Sequence, residues 1–305
     1  MIKFFLSFLI FIISIPTCME STDSGSGNSQ SQLNYDLSSP DKIFILPPSL
    51  YEISGITELD ANSIACVQDE NGLVFIYDLN KGQVTRQFIF GAEGDYEGIT
   101  RVNQTLYVLR SDEVIIEIKS FNSDKYERKA FLAKFPGKDA ESICYYKENN
   151  ILLLIPKEVL DDKSLDKDKR YIYSFDLNSK EILKDPFMVL DLDEIDKFAI
   201  DNAIKVPMKK KKDKKDKPDI KMHISAMGIH PFTNNLYAIS GSERLLFVFT
   251  MDGSIEWIEK LNKDLFPQPE GITFLPDGDL LISNEGRNGS PTLLRFAYNQ
   301  SNTKE

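Results

Sequence analysis

The sequence predicts an all-β chain folded as a β-propeller of four-stranded blades, and three observations predict it. A short signature recurs as EISGI, DYEGI, DAESI, SAMGI and QPEGI, ending at Ile56, Ile99, Ile143, Ile229 and Ile272. The spacings are 43, 44, 86 and 43 residues, and propeller blades run roughly 40–50 residues. Each signature is followed by short apolar runs rich in β-branched and aromatic residues, separated by Gly, Asn and Asp turns. That pattern belongs to antiparallel strands, and no amphipathic helix of ordinary length competes.

The elements follow in order. KIFIL, from Lys42 to Leu46, precedes the first signature and belongs to no unit. The first unit continues with SIACV, LVFIYD and VTRQFIF, and the second with TLYVLR, VIIEIK and KAFLAKF. After Ile143 come ILLLI, YIYSFD and FMVL, interrupted by a charged insertion near 157–170. LYAIS, LLFVFT and IEWIEKL follow SAMGI. The last unit has GITF, DLLIS and TLLRF and lacks a fourth strand. A ring must close to remove its exposed strand edges, so KIFIL is expected to complete the last blade. The 86-residue gap admits a sixth blade as the alternative. Its second charged insertion, near 207–220 and including KKKKDKKDKPD, cannot form a core. What remains is too short for four strands of ~5 residues with turns. Five blades are therefore expected, within a single domain spanning 42–300.

Composition narrows the function. The chain has 305 residues, with 36 Lys and Arg against 47 Asp and Glu, a formal net charge of −11. Neutralising phosphates needs a basic surface, so no nucleic acid is expected as a partner; cations or cationic partners fit better. Two histidines, His223 and His230, are too few for a multi-histidine zinc site. Three cysteines without a CxxC pair exclude a disulfide framework. Cys66 and Cys144 sit in apolar strands and read as buried, inert thiols. No GxSxG elbow, P-loop or HExxH motif is present.

The N-terminus reads as an export signal. Lys3 precedes an apolar run from Phe4 to Ile15, too short for a spanning helix of ~20 residues. Residues 1–17 are expected to be a signal peptide, with Cys18 as a lipidation site and 18–41 as a polar tether to the membrane. This predicts an exported lipoprotein of the bacterial cell envelope, at the outer membrane or facing the periplasm.

A second signature tracks the first. Strand two of each unit ends in an acidic turn, at Glu70, Glu113, Glu158, Glu243 and Glu285. Because strand two runs back antiparallel to strand one, these turns share a face with Glu97, Glu141 and Glu270, which open strand one beside the channel. Glu52 lies two residues further out, and Met227 stands where the fourth unit would carry its acid. Asp69 and Asp112 add to the same end. Carboxylates gathered in this way repel one another and need compensation. A hard cation with oxygen ligands, Ca²⁺ in an exported protein, is one source. The nearby bases Arg110, Lys157, Arg244 and Arg287 are the other, and they could hold a phosphate or another anion. Each glutamate could equally serve a structural network of backbone N–H groups and bases.

EISGI, QDENG, GDYEGIT, LYVLRSD, AESICY, LLLIPKE, IHPFTNNLYAISG and QPEGITFLPDGDLLISNEG together resemble the bacterial SdiA-regulated family of exported β-propellers. The resemblance implies an envelope location, a link to calcium and a distant similarity to propeller phytases, and brings no established reaction. Two functions follow as expectations. One is an envelope-tethered binding module whose acidic funnel binds Ca²⁺ and receives a small ligand, a glycan or an envelope protein. The alternative is a calcium-dependent, phytase-like phosphoesterase, in which a metal-activated water attacks a phosphate held by the bases.

Overall fold

The computed structural model describes residues 33–158, 165–210, 217–287 and 289–299. The expected signal peptide, the expected lipidation site Cys18 and the start of the expected tether lie outside the described residues. Among the described residues, no helix is long and apolar enough to cross a membrane.

Five antiparallel sheets stand around a central axis. Blade 1 comprises Ile53–Asp60, Ser63–Gln68, Leu73–Asp78 and Gln83–Ile89, and blade 2 comprises Tyr96–Val102, Thr105–Arg110, Val114–Lys119 and Glu127–Leu132. Blade 4 runs Ala226–Ile229, Leu236–Ser240, Leu245–Phe249 and Ile255–Lys260. Each inner strand contacts the next, and the inner strand of blade 5 contacts that of blade 1, which closes the ring. Blade 5 has Pro269–Phe274, Leu280–Asn284 and Thr292–Phe296, and its fourth strand is Lys42–Ile45, with Phe44 opposite Leu293. This is the closure that the orphan KIFIL strand predicts, and it ties the start of the ring to its end.

Blade 3 departs from regularity in its outer strand. Lys138–Tyr146, Ile151–Glu158 and Lys169–Asp176 are followed by two short pieces, Glu181–Ile182 and Met188–Asp191. Both pair with different halves of Lys169–Asp176. Pro186 lies in the break, and a proline cannot donate to a ladder.

One helix corrects the sequence reading. α1, Leu192–Asp201, fills the start of the long gap between blades 3 and 4. Asp191 caps it by accepting from Asp193 N–H, and Glu194 stands at the capping-box position. Leu192, Ile195, Phe198 and Ala199 form its buried face, packed into the core between the two blades. Five charged residues among ten conceal that stripe. Beyond the helix, Met208–Lys209 and Lys217–Pro218 pair as a short hairpin, with 211–216 outside the described residues. The extra length is therefore an insertion on the ring and not a sixth blade.

The apolar cores lie between neighbouring blades, where the faces of adjacent sheets bury Val, Ile, Leu and Phe. Cys66 and Cys144 are buried free thiols, each pushed up to about 12 by burial. The expected tether ends sooner than 41, because Tyr35 and Leu37 are packed between blades 4 and 5. Tyr35 donates its hydroxyl to Gly278 O at 2.6 Å, and Asn34 donates to the Tyr298 hydroxyl at 3.0 Å. His230, buried beside Tyr35, accepts from Phe232 and Thr233 N–H at Nδ1 and is held down at about 4 by burial. It is a packed residue and not a base.

Candidate functional site

The recurring signature has a structural meaning at each position. Its glycine lies where inner strands approach. A Cβ on Gly55 would stand 2.8 Å from Gly98 Cα, and one on Gly98 would stand 2.9 Å from Ile143 Cγ2. Its isoleucine plugs the channel: Ile56, Ile99, Ile143 and Ile272, with Met227, surround a void of about 10 Å³. That is at most about one water's worth of room, so the two mouths of the channel are separate sites.

The register corrects one expectation. Ala226 lies opposite Ile239 as Gly271 lies opposite Ser283, and Met227 completes the isoleucine plug. Ser225, and not Met227, therefore occupies the acid's position in blade 4. In blade 1 that position is Ser54, and Glu52 lies outside it. Around the mouth the order is Ser54, Glu97, Glu141, Ser225 and Glu270. Each serine donates to the carbonyl that precedes the next blade's glutamate, Ser54 to Tyr96 O at 2.5 Å and Ser225 to Pro269 O at 3.1 Å.

Glu97, Glu141 and Glu270 share one mouth and act on one another electrostatically. Burial, Glu141 and Asp95 push Glu97 up to about 9. Burial, Glu285 and Glu141 push Glu270 up to about 7. Glu141 is 6% exposed and ion-paired with Lys157; burial still raises it above the usual range. A second group adjoins the first. Burial, with Glu52, Glu70 and Asp95, pushes Asp69 up to about 6, and Glu285 senses both Asp69 and Glu52. Asp95, two residues before Glu97, is the acid that sequence reasoning missed.

Other candidates point elsewhere. Glu70 is exposed beside Asp69. Glu113, at φ 66°, senses Lys134 and Asp112. Glu243 is structural, accepting from Lys221 and Met222 N–H and from Ser240 Oγ, each at 2.8 Å. The side chain of Glu158 lies outside the described residues.

Of the four expected bases, Lys157 is the one placed against Glu97, Glu141 and Glu270. Arg110 is neutralised by a two-pronged contact with Asp112 at 2.7 and 2.8 Å. Arg287 is exposed, 3.7 Å from Glu285. Arg244 lines a groove of about 540 Å³ with Lys263 and Glu285. Calcium suits the donor chemistry of the mouth, yet no group of three or more His, Cys, Asp or Glu among the described residues stands ready to hold a metal ion. The mouth therefore does not fit a preformed calcium site.

Comparison with known proteins bears on the whole. Residues 184–303 match the SdiA-regulated family model. The SdiA-regulated match covers the long insertion and blades 4 and 5, including SAMGI and QPEGI, so the family resemblance is borne out over that stretch. The chain is similar in structure to Myxococcus xanthus glutaminyl cyclase, with a TM-score of 0.57 and 10% identity over 85% of this chain and 94% of that one. It is also similar to a luciferin-regenerating enzyme, with a TM-score of 0.52 and 9% identity over 85% of this chain and 95% of that one. At these identities the likeness shows the propeller fold alone. No curated protein matches the sequence.

Proposed function

We propose that this protein is a ligand-binding propeller displayed at the cell envelope, and that its acidic mouth takes up a cation or the cationic group of a partner. One observation carries the reading: Glu97, Glu141 and Glu270 meet around the ammonium of Lys157, a chain-borne stand-in for the group a ligand would bring. One ammonium serves several carboxyls here, and burial together with their mutual repulsion raises the affinity of Glu97 and Glu270 for protons. An organic ammonium needs no coordination cage, which is why it suits this mouth better than calcium.

Display fits the geometry. Tyr35 docks at Gly278, in the turn that follows the inner strand opened by Glu270. The N-terminal stretch thus reaches the ring on the face opposite the glutamates, and an anchor at Cys18 would leave the acidic mouth pointing outward. Incorporation of radiolabelled palmitate that Cys18→Ser abolishes is the test of the anchor. The calcium-dependent phosphoesterase draws less support, since Arg110 is already paired with Asp112, and Arg244 and Arg287 adjoin Glu285 whereas Lys157 is paired with Glu141.

The binding test is calorimetric titration of the full chain at low ionic strength with spermidine and, separately, calcium chloride. Saturable spermidine binding that weakens in Glu97→Gln and Glu270→Gln supports the reading. Calcium binding with the same mutational pattern assigns the mouth to the metal. Binding of neither ligand overturns the cation reading.

A further inference from the structure

The channel has a second mouth, on the face where the inner strands end, and it is built differently. A cavity of about 290 Å³ opens there, just below the range of roughly 300–1,000 Å³ for ligand pockets and so of small-molecule size. Its floor is the far side of the plug: Ile56, Ile99, Ile143, Met227 and Ile272. One residue outward, Thr57, Thr100 and Thr273 line the wall. One residue further, Glu58 and Arg101 form an ion pair at 3.2 Å, with Tyr145 and Phe274 on the other blades.

The polar groups are organised before any ligand arrives. Glu58 Oε2 accepts from Thr57 Oγ1 at 3.2 Å and Thr273 Oγ1 at 3.1 Å, and Oε1 accepts from Arg101 Nη2 at 3.2 Å. Arg101 also donates from Nε to Glu58 O at 2.8 Å and from Nη1 to Asn103 O at 3.1 Å. Both groups keep spare capacity. A carboxylate offers about four acceptor sites and a guanidinium five N–H groups. The Thr100 hydroxyl is not engaged by the pair.

The charges decide the ligand class. At contact distance Glu58 and Arg101 offset one another, so an ion of either sign gains from one and loses to the other. A neutral molecule with adjacent hydroxyls gains from both, donating to the carboxylate and accepting from the guanidinium. Its C–H face can rest on the isoleucine floor and Phe274. We propose that this second mouth is a binding site for a small neutral polyhydroxylated ligand of monosaccharide size. The site is independent of the acidic mouth, from which the plug separates it.

The test is calorimetric titration of the full chain with D-glucose, D-galactose and N-acetylglucosamine, with sodium acetate as the anionic comparison. The expected result is saturable binding of at least one sugar, weakened at least about tenfold in Thr100→Val and in Glu58→Gln and unchanged in Glu97→Gln. Thr100→Val keeps the test decisive if Glu58→Gln does not fold, because that hydroxyl supports no other side chain of the pair. Absence of binding by all three sugars, binding of acetate in their place, or sugar binding indifferent to Thr100→Val would each overturn the proposal.

Discussion

Lys157 is ion-paired with Glu141 at the acidic mouth, and the two halves of the pair live in different surroundings. The Lys157 side chain is 52% exposed and that of Glu141 only 8%. The lysine is screened by water, while the glutamate depends on it. Removal of the lysine should therefore cost more than an ordinary surface pair and less than a fully buried one. Lys157→Met is expected to destabilise the fold by about 1–2 kcal/mol at neutral pH, between the ~0–1 kcal/mol of exposed pairs and the ~3–5 kcal/mol of broken buried ones. Chemical denaturation at neutral pH measures it, and the loss should shrink as pH falls and Glu141, raised by burial, takes up a proton.

The raised glutamates set a pH dependence of defined sign. Glu97 titrates near 9 in the fold because burial and its acidic neighbours disfavour its charge. An acid raised in this way favours the folded state while protonated, so its contribution is present below the unfolded value of ~4.3 and is lost as pH rises through the folded one. Stability should fall between pH 5 and pH 9, and Glu97→Gln should flatten that fall. A melting temperature higher than wild type at pH 9 by at least about 2 °C, with near equality at pH 4, is the expected outcome.

The register of blade 4 can be tested through its glycines. A Cβ on Gly55 meets backbone at 2.8 Å, whereas one on Gly228 meets only side-chain atoms, at 3.3 and 3.5 Å, and a carbonyl at 3.6 Å. Gly55→Ala should cost about 1–3 kcal/mol through overpacking, and Gly228→Ala should be nearly neutral. Equal losses would put Gly228 back in the signature position and Met227 back in the acid's place.

The N-terminal strap should hold blades 4 and 5 together. Tyr35 contacts His230, Tyr237, Phe274 and Tyr298 and bonds to Gly278. Tyr35→Ala is expected to cost about 3 kcal/mol, as other buried aromatic deletions do. Tyr35→Phe should cost about 1 kcal/mol, the value of one hydrogen bond. Guanidinium unfolding of the two variants separates packing from the bond.

Much of this molecule could be read from its sequence. The repeat length, the strand runs and the orphan KIFIL segment determine a five-bladed ring closed by Lys42–Ile45, since each depends on local alternation and on the need to pair every edge. Glu97, Glu141 and Glu270 could be assigned to one mouth because each directly precedes the residue that packs against the next blade. Other features depend on contacts between distant segments. SAMGI reads as an out-of-frame copy of QPEGI until its pairing with Leu236–Ser240 makes Met227 part of the plug. Glu243 looks like a ring member until the 220s segment brings two N–H groups to it. The second mouth has no motif: Thr57, Thr100, Thr273, Glu58 and Arg101 come from three blades and become one pocket only when the ring closes. Sequence determined which residues alternate, and tertiary structure decided which way each one faces, because a shift of a single residue in a strand moves a side chain to the opposite side of its sheet.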